Sequence, residues 1–246
     1  MFKSFRIDRL IKTSIAKAAQ KTIARIIEKY GSLSGREEDI TSKLEERFGS
    51  ELIEEIATQF KFNKKHGLNF DVFSYRKKQE HETGADILGI VDIQVNSKRV
   101  TKIYLAQCKV GKVTNHEKNS WPQFECVSSN DILAQAEAML SLTSDSFFFI
   151  YTEKGIFSTP AFQIRLANKS KKIKSSEVYI KKIESFYSDF FKCFIGDEVS
   201  KLGIKDNLNI REIAEDFVRV KKINVKNVIG IVVSDGTSEY GVSSRE

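Results

Sequence analysis

Residues 83–112, TGADILGIVDIQVNSKRVTKIYLAQCKVGK, contain two apolar segments separated by the polar residues Asn-Ser-Lys-Arg. The segments at 86–95 and 100–110 are rich in isoleucine, valine, leucine and tyrosine, a composition typical of β-strands. Two such segments joined by a short polar connection predict a β-hairpin. The polar residues that remain inside this stretch therefore become candidates for a functional site on a sheet.

The register of the hairpin determines which of these polar side chains lie together. If residues 96–99 form the turn, Asp86 at the start of the first strand lies opposite Lys109 near the end of the second. Side chains alternate between the two faces of a strand, so Gln107 and Lys109 share one face. We therefore expect Asp86, Gln107 and Lys109 to converge at the edge of the sheet.

An acid, an amide and an amine in one cluster suit a hard divalent cation. Mg²⁺ prefers oxygen ligands, commonly one or two carboxylates together with waters and phosphate oxygens of the substrate. Asp86 is the expected anchor, with the Gln107 side-chain oxygen and the Cys108 carbonyl as further ligands. Lys109 is expected to orient or deprotonate an attacking water and to offset charge on the phosphate. The pattern predicts phosphodiester hydrolysis.

One carboxylate is a weak anchor for a divalent cation, so we expect a second acid upstream. Glu37 lies on a predicted helix with a capping-box pattern, and its neighbour Glu38 is the alternate. Helix capping explains Glu37 equally well, and the two roles are compatible. Glu82 is another candidate, whereas Asp92 lies in mid-strand, too far from Lys109.

These residues resemble the PD-(D/E)xK nuclease superfamily, in the Mrr-like branch that has glutamine at the third position. The matching parts are Glu37 in GREEDIT, Asp86 in TGAD, and Gln107 with Lys109 in QCK, in the order that the family has. The resemblance covers roughly residues 31–160. Two features depart from the family pattern: no proline precedes the aspartate, and glutamine replaces the acid of the last motif.

The resemblance implies a restriction endonuclease-like core, which is an α/β fold with a central mixed β-sheet flanked by helices. It implies a Mg²⁺-dependent endonuclease acting on DNA in restriction or anti-phage defence, with Mn²⁺ as a possible substitute metal. Gln135 resembles the glutamine that some relatives carry on the helix after the motif. The catalytic residues that it implies are Glu37, Asp86, Gln107 and Lys109, and the implied metal ligands are Glu37, Asp86, Gln107 and Cys108.

Three regions are expected along the chain: a basic helical arm at 1–30, the nuclease domain at 31–200, and a helix and strand at 201–246 that extend the same domain. The arm has apolar residues at helical spacing and lysines and arginines on its polar side. Such a helix either packs on its own core with a solvated basic face, or contacts nucleic acid, a protein partner or a second copy of the chain.

Further elements follow the hairpin. The sequence predicts a helix at 131–143, a buried strand with a short second strand at 146–160, a basic loop at 169–176 and a helix at 177–196. A final helix, REIAEDFVRV, and a final strand, VIGIVVSDG, complete the expected order. Trp121 precedes the first of these helices and either lines a substrate groove or packs locally.

Composition limits the function classes. Lysine and arginine number 40 against 33 aspartates and glutamates, a net charge of +7 that favours a polyanion partner. No apolar stretch approaches the roughly 20 residues of a membrane helix, and no P-loop motif or secretion signal is evident. The odd cysteine count without CxxC spacing favours a reducing, cytoplasmic setting.

Two other functions compete with the DNA nuclease. A non-catalytic nucleic-acid-binding or assembly protein can retain the same scaffold, and an enzyme that cleaves RNA can use the same residues. At the level of single residues, Asp86 and Lys109 are also explained by a cross-strand ion pair, although such a pair does not explain Gln107 beside them.

Overall fold

The computed structural model describes residue 21 and residues 69–76, 85–95, 98–115, 121–128, 131–168, 171–205, 207–223, 225 and 227–234. Glu37, Glu38 and Glu82 lie outside the described residues. Of the predicted arm at 1–30, only Lys21 is described, and it is helical and exposed.

The described residues form both helices and strands, with five strands before the first helix of the core. In chain order these are β1 (Asn69–Arg76), β2 (Ile87–Val95), β3 (Lys98–Val110), β4 (Lys112–Asn115), β5 (Gln123–Val127), α1 (Ile132–Leu140), β6 (Ser146–Thr152), β7 (Gly155–Pro160), α2 (Ala161–Ala167), β8 (Lys172–Lys174), β9 (Lys181–Lys182), α3 (Ile183–Phe191), β10 (Asp197–Glu198), a 3₁₀ turn (Val199–Leu202), α4 (Ile210–Lys221) and β11 (Asn227–Ser234).

The main sheet is mixed, with strand order β1-β11-β2-β3-β6-β7-β9 and β10 paired to β3. The pairs β11–β2 and β3–β6 are parallel, and the other adjacent pairs are antiparallel. A smaller antiparallel sheet has the order β4-β5-β8. Helices pack on both faces of the main sheet. The expectation of an α/β fold with a central mixed sheet flanked by helices is confirmed.

The two faces of the sheet carry two separate cores. One face packs α3 against an aromatic cluster centred on Tyr104, whose ring lies 4.8 Å from Phe190 and 5.0 Å from Phe186, edge to face in both cases. The opposite face packs α1, α2 and α4 against aliphatic and aromatic residues of the same strands. Because successive strand residues point to opposite faces, both cores are built from the same strands.

The last helix forms where its sequence pattern predicts. Asn209 caps α4 by accepting a hydrogen bond from the Glu212 amide, and Glu212 accepts one from the Asn209 amide, which completes a capping box. The buried residues follow helical spacing at Ile210, Ile213, Ala214 and Phe217. The strand that follows, β11, lies between β1 and β2, so the segment at 201–246 contributes to the main sheet.

The predicted register of the hairpin is wrong by two residues. Val95 pairs with Lys98, so only two residues connect β2 and β3, and the pairing places Asp86 beside Gln107 rather than Lys109. Lys98 and Arg99, which were expected in the turn, belong to β3, and Arg99 pairs with a buried acid. Arg99 Nε and Nη2 each lie 2.9 Å from the Asp92 carboxylate. A shift of two residues preserves the alternation of side chains, so the predicted faces are unchanged.

Two further predictions are corrected. The segment at 177–196 is not one helix, because its first part forms a loop and β9, and α3 covers only Ile183–Phe191. Lys181 and Lys182 are in β9 because β7 offers them an open edge for pairing. The basic loop at 169–176 contains β8, which pairs with β5. The strand pair at 146–160 and the helix at 131–143 are confirmed, the helix as the shorter α1.

Candidate functional site

The candidate site lies where β2 begins and β3 approaches its end. Asp86 immediately precedes β2, and its backbone is held on both sides. Its amide donates to the Ala106 carbonyl at 2.8 Å, and its carbonyl accepts from the Asn227 amide at 3.0 Å. Since β3 and β11 are its two neighbours, the position of Asp86 is set by strands from distant parts of the chain.

The Asp86 carboxylate is bound by two groups of the QCK motif. The Cys108 amide donates to Asp86 Oδ2 at 2.8 Å, and Gln107 Nε2 donates to the same oxygen. Gln107 Nε2 also lies 3.3 Å from the Cys108 carbonyl oxygen. Asp86 is 8% exposed and Gln107 is 6% exposed, so this cluster is almost removed from solvent.

Lys109 lies two residues beyond Gln107 on the same face of β3. Its neighbour across the parallel pair is Ile150 of β6, and its side chain is 3% exposed. Residues two apart on a strand have Cα atoms about 7 Å apart. The structure therefore places Lys109 on the same face of β3 as Gln107, as predicted, although Gln107 and not Lys109 is the direct neighbour of Asp86.

Cys108 contributes to this site through its backbone only. Its side chain points to the opposite face, where it lies in the aromatic core and Sγ is 3.1 Å from the Tyr151 hydroxyl. Its amide and carbonyl lie in the plane of the sheet beside Asp86 and Gln107. A ligand role for Cys108 is therefore a role for its carbonyl oxygen, as the sequence predicts.

The oxygen-bearing groups at the candidate site are of the kind that bind hard cations. They include one carboxylate, that of Asp86, in the described part of the chain. Within the described ranges, no three histidine, cysteine, aspartate or glutamate side chains lie together as a metal site. Asp86 and the Cys108 carbonyl offer oxygen, while Gln107 now presents Nε2 to Asp86. A cation shared by Asp86 and Gln107 requires that amide to turn over and present its oxygen, because Mg²⁺ is bound by oxygen atoms.

The side chain of Gln135 has a hydrogen-bond acceptor without a partner in the described part of the chain, on the face of the sheet that carries Gln107 and Lys109. It lies on α1, which packs on β6 beside β3. Its Oε1 is buried and has no hydrogen-bond partner among the residues that the structure describes. A buried polar atom without a partner is unusual and marks a place where water or a ligand completes the hydrogen bonding.

The acids with shifted pKa values near β3 lie beside the middle of that strand, at positions 103 and 105, and are not among the residues of the candidate site. Burial raises the pKa of Asp145, and the nearby Asp197 charge adds to this increase. Burial also opposes ionisation of Asp197, but hydrogen bonds from Thr143 and Ser144 outweigh it and leave the pKa of Asp197 lowered. These two acids connect the segment after α1 with β10. Their ionisation therefore affects the free energy of folding.

Sequence reasoning missed a second polar and aromatic feature near β5 and β9. Trp121, which was predicted either to line a groove or to pack locally, is 53% exposed and lines a pocket of about 610 Å³. Tyr179 lines the same pocket and was not identified. The available signal is the sequence VYIKK, in which β-branched and aromatic residues typical of strands precede two lysines, within the helix predicted at 177–196.

After comparison with known proteins, membership of the nuclease superfamily remains a prediction. None of the protein-family models, curated proteins or solved structures compared with this chain matches it. No helix in the described part of the chain is long and apolar enough to cross a membrane. The functional argument therefore rests on the chemistry of the residues themselves.

Proposed function

We propose that this protein is a Mg²⁺-dependent endonuclease that hydrolyses phosphodiester bonds of DNA, built on a restriction endonuclease-like core. The observation that carries the proposal is the convergence of Asp86, Gln107 and the Cys108 backbone, with Lys109 on the same face. A structural ion pair needs no amide between its partners, whereas a metal site for phosphoryl chemistry uses all of these groups. Restriction or anti-phage defence in the cytoplasm is the proposed setting.

Each residue has a separate role in this proposal. Asp86 anchors Mg²⁺, with the Gln107 side-chain oxygen and the Cys108 carbonyl as further ligands and Glu37 as the proposed second carboxylate. Bound Mg²⁺ would supply Lewis-acid stabilisation of the charge that develops on the phosphoryl oxygens. Lys109 orients the attacking water and offsets the same charge from the protein side. The low exposure of Asp86 and Lys109 strengthens these interactions, because water screens them less.

The charge of the chain supports a nucleic-acid substrate. The net charge of +7 attracts phosphates without regard to base sequence. Among the described residues, lysines 171, 172 and 174 lie on or beside β8, and β9 consists of Lys181 and Lys182. Contacts of this kind position a substrate strand but do not select its sequence. We therefore expect DNA binding that weakens steeply as the salt concentration rises.

The proposal is tested by Asp86→Asn and Lys109→Met, with Glu137→Gln as a matched control on the exposed face of α1. Purified proteins are incubated with plasmid DNA, linear duplex and RNA, each with Mg²⁺ or with chelator. We expect both site variants to lose at least about 100-fold of the Mg²⁺-dependent cleavage rate, since each removes a group that acts on the transition state. Circular dichroism and thermal melts verify folding. Cleavage at the wild-type rate by either variant refutes the assigned site.

A non-catalytic nucleic-acid-binding protein is the competing candidate, because Gln107 already satisfies Asp86 without a cation. Calorimetric titration with Mg²⁺ and Mn²⁺ separates the two functions. We expect binding by wild type, tighter binding by Gln107→Glu, which restores an acid at the third position, and loss of binding in Asp86→Asn. Absence of binding by both wild type and Gln107→Glu, with DNA present, favours the non-catalytic protein.

A further inference from the structure

We infer that the pocket between β5 and β9 binds unpaired bases of a single-stranded nucleic acid. The pocket is defined by Trp121, Pro122 and Gln123 on one side and by residues 175, 176, 178–181 and 185 on the other, and it measures about 610 Å³. This volume is in the range of small-ligand sites, which is roughly 300–1,000 Å³. Trp121 is 53% exposed and Tyr179 is 58% exposed, so both side chains are accessible from solvent.

The two aromatic rings carry positive charge beside them. Lys182 Nζ lies 5.8 Å from the centre of the Trp121 ring. Lys181 Nζ lies 5.9 Å from that of Tyr179 and also pairs with Asp189 Oδ2 at 2.5 Å. Serines 175, 176 and 185 add hydroxyl groups, and no acidic side chain is among the described residues that line the pocket. Aromatic faces for bases, with cations and hydroxyl groups for phosphates, are the combination that binds single strands without sequence preference.

The pocket is held in shape by hydrogen bonds on two sides and by a contact between aromatic rings. The Ser175 amide donates to the Phe124 carbonyl at 3.0 Å, and the Phe124 amide donates to Ser175 Oγ at 3.0 Å. On the other side, β9 pairs with β7, with Lys182 opposite Phe157. The Trp121 ring lies 6.1 Å from the buried ring of Phe157. A site formed in advance loses less conformational entropy when a ligand binds.

The pocket and the candidate site share one face of the sheet. Lys109 pairs with Ile150, and Ile150 pairs with Phe157, on which Trp121 rests. Two strand spacings separate Lys109 from Phe157, which is about 10 Å between their backbones. A strand whose bases stack on Trp121 therefore passes near Lys109. In this respect the inference rests on the proposed function, because it names unpaired nucleotides as the part of the substrate held beside the cleavage site.

Trp121 is the single tryptophan of the chain, so its fluorescence reports on this pocket alone. The protein is titrated with oligothymidylate in chelator, where no metal-dependent cleavage takes place. We expect the oligomer to quench Trp121 emission, and a duplex of the same length to quench it less. Titration with heparin controls for charge alone, and we expect no comparable quenching. Equal quenching by all three polyanions, or none by oligothymidylate, overturns the inference.

Variants test the same pocket with a labelled oligothymidylate and fluorescence anisotropy. We expect Trp121→Ala and Tyr179→Ala each to weaken binding about 5- to 150-fold, the effect of losing one stacked base. Phe194→Ala is the matched control, because Phe194 is an exposed aromatic residue that does not line the pocket. Wild-type affinity in both pocket variants overturns the inference. Binding through the pocket without any cleavage by wild type in Mg²⁺ rejects the proposed function and leaves the inference standing.

Discussion

Replacing Gly89 by alanine directly tests how tightly β2 and β3 pack around the aromatic core. Gly89 pairs with Tyr104 across the hairpin, and the Tyr104 ring lies over it. A Cβ atom at position 89 would lie 2.0 Å from Cε1 and 2.2 Å from Cζ of Tyr104. Atoms cannot approach so closely, so the ring must move. Its edge-to-face neighbours Phe186 and Phe190 leave it no room to do so.

The expected cost follows from this geometry. Overpacking of a well-packed core costs about 1–3 kcal/mol. We expect Gly89→Ala to lie at the upper end, about 3 kcal/mol, because a rigid and fully buried ring blocks the new methyl group. Gly203→Ala is the matched control. It has no atom within 4 Å of its new Cβ and only the strain of φ +78°, so we expect about 1 kcal/mol.

A double-mutant cycle with Tyr104→Ala identifies the clash as the cause. Removing the ring alone costs about 3–5 kcal/mol through lost burial and a cavity. In the double variant the new methyl group enters that cavity, so the second substitution adds almost nothing to the cost. Free energies of unfolding from urea titrations, followed by circular dichroism, measure all four proteins. Costs that simply add, or a Gly89→Ala cost no larger than that of Gly203→Ala, refute the reasoning.

Three other outcomes test separate parts of the fold and site. Arg99→Met should cost about 3 kcal/mol in urea unfolding, because it leaves the buried Asp92 charge without its ion pair, and adding Asp92→Asn should recover most of that loss. Cys108→Ala should retain Mg²⁺-dependent DNA cleavage, because only the backbone of Cys108 faces the site; complete loss in a folded variant contradicts this. Asp197→Asn should weaken folding at neutral pH, and its difference from wild type should disappear as pH falls below about 4.

The sign of the last effect follows from the lowered pKa of Asp197. An acid whose pKa is lower in the folded than in the unfolded protein stabilises the fold above its unfolded pKa. That stability disappears as the pH falls through the folded pKa. Asp145 has a raised pKa and acts in the opposite direction, so the comparison must be made between Asp197→Asn and wild type at each pH. A difference that grows toward acid contradicts the assignment.

Local patterns were enough to predict several features of this protein. The hairpin, the final helix and the shared face of Gln107 and Lys109 depend on neighbours in the chain. Side-chain alternation along a strand is one such local property, and it survives a register shift of two residues. For this reason the polar cluster was placed at the correct edge although its partner across the hairpin was wrong.

Tertiary structure decided what depends on contacts between distant segments. The buried pair of Asp92 and Arg99 accompanies strand pairing that continues into the expected turn, and this register brings Gln107 beside Asp86. Lys181 and Lys182 form a strand because they pair with the open edge of β7. This pairing also positions the residues that line the pocket beside Trp121. A strand can pair with segments that are far apart in the chain. The free energy of pairing depends on how much surface is buried in the folded sheet, and a local sequence pattern does not contain this information.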